Sequence, residues 1–193
     1  MEQIRSFIAI ELPEELKLGL AQLQRTLKAS RRPWVKWVQP SSIHLTLKFL
    51  GNVSSDRIGE VTDALQLATL GIAPFHIEVK GLGVFPNLRR VQVIWVGISG
   101  DLDKLDQLAR NIESNLLPLG FPSEDRPFVP HLTLGRVRKE ASFEERQELG
   151  ELVGVTKFEA AYAIEVQAIN LMRSQLTREG ANYSVISTVK LGR

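Results

Sequence analysis

The chain has 193 residues, 44% hydrophobic and 24% charged, with 24 Lys and Arg against 22 Asp and Glu for a net charge of +2. That length supports one ordinary domain or two small lobes on a shared core, and the composition excludes disorder as the main state. Cysteine is absent, which excludes disulfides, a thiol nucleophile, thiolate zinc sites and iron–sulfur clusters, and fits a reducing cytoplasm.

The opening MEQIRSFIAIELPEEL has too short an apolar run for a signal peptide, and no stretch approaches the roughly 20 apolar residues that span a bilayer. A cytoplasmic protein with no membrane partner is expected. Residues 4–11 (IRSFIAIE) form a short apolar strand ended by Pro13. Residues 14–29 carry Leu16, Leu20, Leu23 and Leu27 at helical spacing, an amphipathic helix. Residues 43–50 (IHLTLKFL) alternate as a half-buried strand. A helix over 56–68 and a strand over 75–80 follow. The segment 81–90 (GLGVFPNLRR) is rich in Gly, Pro and Asn and is expected to cross between lobes. Next come a strand at 91–98, a helix at 102–117 with Leu105, Ala109, Ile112 and Leu116 on one face, a strand at 131–137, and a helix at 143–152. One long strand or two over 158–171 and a last strand at 183–189 complete the chain.

Charge is unevenly placed. No acid occurs between Glu15 and Asp56, while Lys17, Arg25, Lys28, Arg31, Arg32, Lys36 and Lys48 are basic; residues 140–165 lean acidic. A basic N-terminal third attracts anions such as phosphates.

The elements repeat. The offset that carries His44-Leu45-Thr46-Leu47 onto His131-Leu132-Thr133-Leu134 also carries Ile4 to Val91 and Pro40 to Pro127. A duplicated strand–helix–strand unit follows. Parallel strands buried on both faces read as continuous apolar runs, and the alternation of IHLTLKFL argues against that arrangement. The expected fold is α+β: a single bilobal domain over 1–193, with lobes near 1–88 and 89–193. Mostly antiparallel sheets line a central cleft with helices outside, and the last strand can return to the first lobe.

Two of three histidines share the HLTL context, a coincidence of roughly one pair in a thousand at average residue usage. Strand side chains alternate, so His and Thr at i and i+2 point the same way about 7 Å apart while the Leu residues enter a core. Across a pseudo-two-fold cleft, two imidazoles and two hydroxyls converge. One imidazole can take a proton from water while the other gives one to a departing alkoxide. The Thr hydroxyls can donate to non-bridging phosphoryl oxygens during in-line displacement. A phosphodiester, especially a strained cyclic one, suits this constellation. His76, alone between Phe75 and Ile77, reads as a solvated side chain.

These motifs, flanked as WVQPSSIHLTLKFLG and RPFVPHLTLGR, resemble the two-histidine phosphoesterase superfamily with its paired His-x-Thr-x motifs. Within it, the FIAIELPEEL opening, GLGVFPN and the final SQLTREGANYSVIST are most similar to the RNA 2′,3′-cyclic phosphodiesterases, also called 2′-5′ RNA ligases. The resemblance implies a bilobal fold and metal-independent, cofactor-free opening of a terminal 2′,3′-cyclic phosphate on RNA or a nucleotide to a 2′-phosphomonoester. It makes His44 the proton donor and His131 the acceptor, roles that the near-symmetric motifs do not assign. Ligation through a 2′-5′ linkage in the same site and a non-catalytic nucleotide-binding module are the alternatives.

Around the motifs, Thr46 and Thr133 are expected phosphate ligands. Lys48 shares the face of Thr46 by alternation and can reach phosphate. Arg126 and Arg136 bracket the second motif and can pair with phosphate oxygens, although simple alternation puts Arg136 on the Leu side. Phe49, Phe128 and Phe85 can stack on a base but also suit a core, and Trp34 and Trp37 are expected at a sheet edge. The Gly81-Leu82-Gly83 run lacks the third glycine of a dinucleotide fingerprint and is set aside.

Overall fold

The structure, a computed structural model, describes residues 1–29, 32–159, 162–178 and 180–192. Among them are strands β1 (Gln3–Ile10), β2 (Val35–Trp37), β3 (Leu45–Ser54), β4 (Phe75–Phe85), β5 (Val93–Gly100), β6 (His131–Val137), β7 (Tyr162–Val166), β8 (Ala168–Thr177) and β9 (Gly180–Lys190). The helices are α1 (Glu14–Lys28), α2 (Ile58–Thr69), α3 (Leu102–Leu116) and α4 (Phe143–Val155). The expected strands and helices form in order. The unforeseen β2 has three residues, too short to show a period. Arg31 and the residues joining the expected strand at 158–171 to its start, Ala160 and Ala161, lie outside the described residues.

All pairings are antiparallel, in two sheets ordered β3-β1-β8-β9 and β2-β6-β5-β4-β7. The α+β architecture with lobed antiparallel sheets is therefore present, and its halves are interlocked. In each sheet the motif strand (β3, β6) pairs with the first strand of its own unit (β1, β5). That first strand then pairs with a strand from the other half, β8 beside β1 and β4 beside β5. The segment 81–90 is strand as far as Phe85: Gly81, at φ 78°, forms a bulge between Lys80 and Leu82 and the ladder resumes beyond it. A glycine that looked like punctuation kinks the strand instead of ending it.

The helices cross over as well. On α1, Leu16, Leu20, Leu23, Gln24 and Leu27 are buried; on α3, Leu105, Ala109, Ile112 and Leu116 are, and Glu113 stands where α1 has Gln24. From α1, which follows β1, Gln24 reaches the backbone of β6 in the other sheet. From α3, which follows β5, Glu113 reaches Lys48 on β3. Each sheet thus has a helix-covered face with the main core beneath it, and a second face left for the cleft. No helix among the described residues is long and apolar enough to cross a membrane.

Candidate active site

Both motif strands carry a bulge at the same place. In β3, Thr46 pairs with Ala9 and Lys48 with Ile8, so Leu47 has no partner of its own. In β6, Thr133 pairs with Trp95 and Gly135 with Ile94, so Leu134 is the extra residue. A bulge inserts one residue and inverts the alternation beyond it. The residue two after each bulged Leu, Phe49 in β3 and Arg136 in β6, therefore joins the His and Thr on the cleft face. The residue directly after it, Lys48 or Gly135, turns to the helix side.

The bulges have supports from the helices. Gln24 Nε2 donates to the Leu134 carbonyl at 2.9 Å and the Val38 carbonyl at 2.7 Å. Lys48 Nζ donates to Glu113 Oε2 at 2.7 Å and to the Pro122 carbonyl at 2.8 Å. Gln24 and Glu113, at matching positions along the apolar stripes of α1 and α3, thus each secure the bulged segment of a motif strand.

This geometry corrects the expectation for Lys48. It does not share the face of Thr46; the bulge at Leu47 points it into the helix side, where it is 3% exposed and paired with Glu113. A lysine held there cannot contact a phosphate in the cleft. Arg136, by contrast, is brought to the cleft face by the bulge at Leu134. Phe49 also faces the cleft, 61% exposed, with its ring 6.2 Å from that of its cross-strand partner Phe7. Phe128 packs partly buried against the main core, as do Trp34 and Trp37. Arg126 is exposed in the loop 121–130, and His76 is exposed with its backbone bound to Asp101.

The imidazoles are held alike. His44 Nδ1 donates to the Ser42 carbonyl at 2.8 Å and His131 Nδ1 to the Val129 carbonyl at 2.6 Å, in each case the residue two before it. A carbonyl only accepts, so Nδ1 carries the proton and Nε2 is the nitrogen left for proton transfer. Thr46 and Thr133 are half-buried with no hydrogen-bond partner among the described residues.

The surroundings of the two rings differ. His44 stacks on Phe7 at 4.6 Å and meets the edge of Tyr183 at 5.0 Å. Burial among these rings pushes its pKa below 6.5; the Ser42 carbonyl acts in the opposite sense, and the nearby Lys17 charge pushes it down further. His131 meets the edge of Phe85 at 5.0 Å and lies 6.4 Å from Trp95. Burial also raises the pKa of Tyr183, against the charges of Arg136 and then Arg5, which keeps the phenol a hydrogen-bond donor at neutral pH. Arg136 on β6 is thus within electrostatic reach of Tyr183 on β9, in the other sheet. Together with the approach of β3 to β6, this brings the two motif strands near each other.

Three contributors were missed in the sequence: Phe7, Tyr183 and Trp95. Phe7 and Ala9 sit in an apolar run buried on both faces, where periodicity does not say which side is the cleft; they form a small second cluster with Met172 under Tyr183. Trp95 lies flat on its cross-strand partner Gly83, where an added Cβ would stand 2.4 Å from the indole. A glycine opposite a tryptophan was the available signal. Among the described residues no cluster of three His, Asp or Glu side chains is placed to hold a metal ion.

The LigT-like phosphoesterase family matches the chain twice, over residues 10–95 and 96–183, in keeping with the duplication. An RNA 2′,3′-cyclic phosphodiesterase of Methanothermobacter thermautotrophicus is 33% identical over 98% of this chain and 100% of its own length. One of Aquifex aeolicus is 36% identical over 81% of this chain and 82% of its own. The crystal structure of E. coli LigT complexed with NADP+ has a TM-score of 0.76 at 26% identity, covering 98% of this chain and 99% of that one. With two matched halves and full-length relatives above the level at which homology is secure, the chain belongs to the LigT-like phosphoesterases.

Proposed function

We propose that the chain is an RNA 2′,3′-cyclic phosphodiesterase that opens a terminal 2′,3′-cyclic phosphate to a 2′-phosphomonoester. The observation that carries this is the pair of equivalent, bulged His-x-Thr strands, each presenting an imidazole Nε2, a free hydroxyl and one further group to the cleft. Relatives named for the activity across the chain's whole length support it.

In the proposed step a water oxygen attacks phosphorus in line as the bond to the 3′ oxygen breaks. His131 Nε2 takes the water proton and His44 Nε2 protonates the departing 3′ oxygen, each transfer typically worth 10²–10⁴-fold. Burial makes His44 a stronger acid than an ordinary imidazole; the phosphodiester's negative charge beside it restores the protonated form when substrate is bound. Thr46 and Thr133 donate to the non-bridging oxygens, and Arg136 neutralises the charge gathered there. Phe49, exposed at the cleft, offers a face for the terminal base. No step on this route calls for a cofactor or a metal. The exchanged strands β4 and β8 support a single bilobal unit over the whole chain, and an RNA substrate with a cysteine-free sequence supports a cytoplasmic setting.

The test is phosphorus NMR of the product from a 2′,3′-cyclic mononucleotide. A 2′-phosphate is expected, with H44A and H131A each losing at least 100-fold in kcat. A 3′-phosphate product, or either variant at full rate, overturns the mechanism. With a 5′-hydroxyl RNA present at equal concentration, ligated product in excess of hydrolysed product overturns the assignment as a hydrolase.

A further inference from the structure

The cleft face of the first sheet continues past the imidazole. Along β1, Phe7 stacks on His44, and Arg5 follows two residues further on the same face, about 7 Å away. Arg5 pairs across the ladder with Asn52 on β3. On the other side of the sheet, Tyr183 pairs with Ser174 one row beyond the pairing of Ser6 with Arg173.

Arg5 is exposed and has no acidic partner among the described residues, whereas its neighbour Arg173 is bound to Glu2 at 2.7 Å. Arg5 lies two residues along β1 from Phe7, which stacks on His44, and so stands on the path leading out from the first motif; its charge, with that of Arg136, also bears on the Tyr183 phenol. Beyond it opens a hollow of about 460 Å³ whose lining includes Arg5, Asn52, Ser174 and Gln175. The amide and hydroxyl groups of these last three have no partner among the described residues. One cation without an acidic partner, a phenol donor and a recess whose unpaired lining groups are neutral are what a single-stranded polymer with one charge per residue needs.

We infer that this lane binds the RNA strand upstream of the cyclic end. Arg5 and the Tyr183 hydroxyl hold the next phosphodiester, and the nucleotide before it lies in the hollow against Asn52, Ser174 and Gln175. The inference rests on the phosphodiesterase reading and adds to it the residues that hold the strand beyond the scissile phosphate. The other cation of the lining, Arg173, is already paired with Glu2, so the hollow suits a base edge or a ribose 2′-hydroxyl better than a second anion, and one phosphate beyond the scissile one is engaged.

The experiment compares kcat/KM for a cyclic mononucleotide with that for a tetranucleotide bearing the same terminal nucleotide and cyclic end, in the parent chain and in Arg5→Gln. Arg5 is exposed on its strand, so the variant folds as the parent does. The parent is expected to favour the tetranucleotide at least tenfold. Arg5→Gln should remove most of that preference through KM and leave the mononucleotide rate unchanged. Its log KM for the tetranucleotide should also rise less steeply with log salt, by a slope of about 0.7, the loss of one single-strand phosphate contact. Equal rates on both substrates in the parent overturn the inference, as does an Arg5→Gln variant that keeps the full preference or loses both activities together. A parent inactive on both cyclic substrates overturns the phosphodiesterase reading instead, so the two failures are distinguishable.

Discussion

Lys48→Met separates the two roles that the sequence and the structure give this residue. The Nζ lies 2.7 Å from Glu113 Oε2 and 2.8 Å from the Pro122 carbonyl, and the lysine side chain is 2% exposed against 23% for the glutamate. Removing one partner of a buried ion pair costs about 3–5 kcal/mol, most of it from the charge left behind. Glu113 keeps part of its hydration, which places the cost near the lower bound, at about 2–3 kcal/mol once methionine refills the volume. For a chain of this length that is a fall in Tm of roughly 5–10 °C. Adding Glu113→Leu removes the stranded carboxylate and should restore most of the loss, leaving about 1 kcal/mol for the unpaired Pro122 carbonyl. Urea unfolding of the parent, both single variants and the double variant gives the cycle. A Lys48→Met cost under about 0.5 kcal/mol, or no recovery in the double variant, refutes the reasoning, because a solvated surface lysine behaves that way. Were Lys48 instead a phosphate ligand, the variant would keep its stability and lose affinity for substrate.

The NMR titration of His44 in the ligand-free protein should have its midpoint below 6.5, and a bound phosphate ester should raise it; a midpoint above 6.5 without ligand contradicts the burial argument. The linked stability effect has a definite sign. Above pH 6.5 the imidazole is neutral folded and unfolded alike, whereas below 6.5 the unfolded chain takes the proton first. Stability then falls by up to about 1.4 kcal/mol per pH unit until the folded ring also titrates, and His44→Gln should flatten that slope. Gly83→Ala puts a Cβ 2.4 Å from the Trp95 ring and should cost about 1–3 kcal/mol by urea unfolding, with kcat falling as the ring beside His131 is displaced; a neutral substitution would show that the indole moves aside freely. Gln24→Leu withdraws the donor to the Leu134 and Val38 carbonyls and should lower stability by about 1–3 kcal/mol, with a larger fall in activity than an exposed substitution on α1 such as Gln22→Ala. Incubation with EDTA should leave the hydrolysis rate unchanged, and its loss would require a metal in the step.

What was legible in the sequence, and what was not, divides along physical lines. Strand alternation as far as the bulges, helix periodicity and the duplicated HLTL depend on neighbours a few residues away, and these stand in the fold as read. The exchange of β4 and β8 between sheets depends on which edge a strand meets after its helix, which no local pattern encodes. The bulges at Leu47 and Leu134 are harder still, because neither residue is a glycine or proline. Their trace lies elsewhere in the chain, in Gln24, buried on α1, and Glu113, half-buried on α3, each at the same point of its helix's apolar stripe. A buried polar side chain needs a partner, and its recurrence in both units says that each motif strand has something irregular to hold. Once the bulge is known, the divergence after the motifs becomes intelligible. With the inversion kept in both copies, the position two past the bulge reaches the cleft in each, and one copy puts an aromatic ring there and the other a guanidinium. The position directly past the bulge points to a helix in each, and one copy fills it with a lysine paired to Glu113 while the other has Gly135, whose added Cβ would stand 3.0 Å from Trp37. The duplicated scaffold thus kept its proton-transfer groups in common while its two halves took on different parts of holding a substrate, the base on one side and the charge on the other.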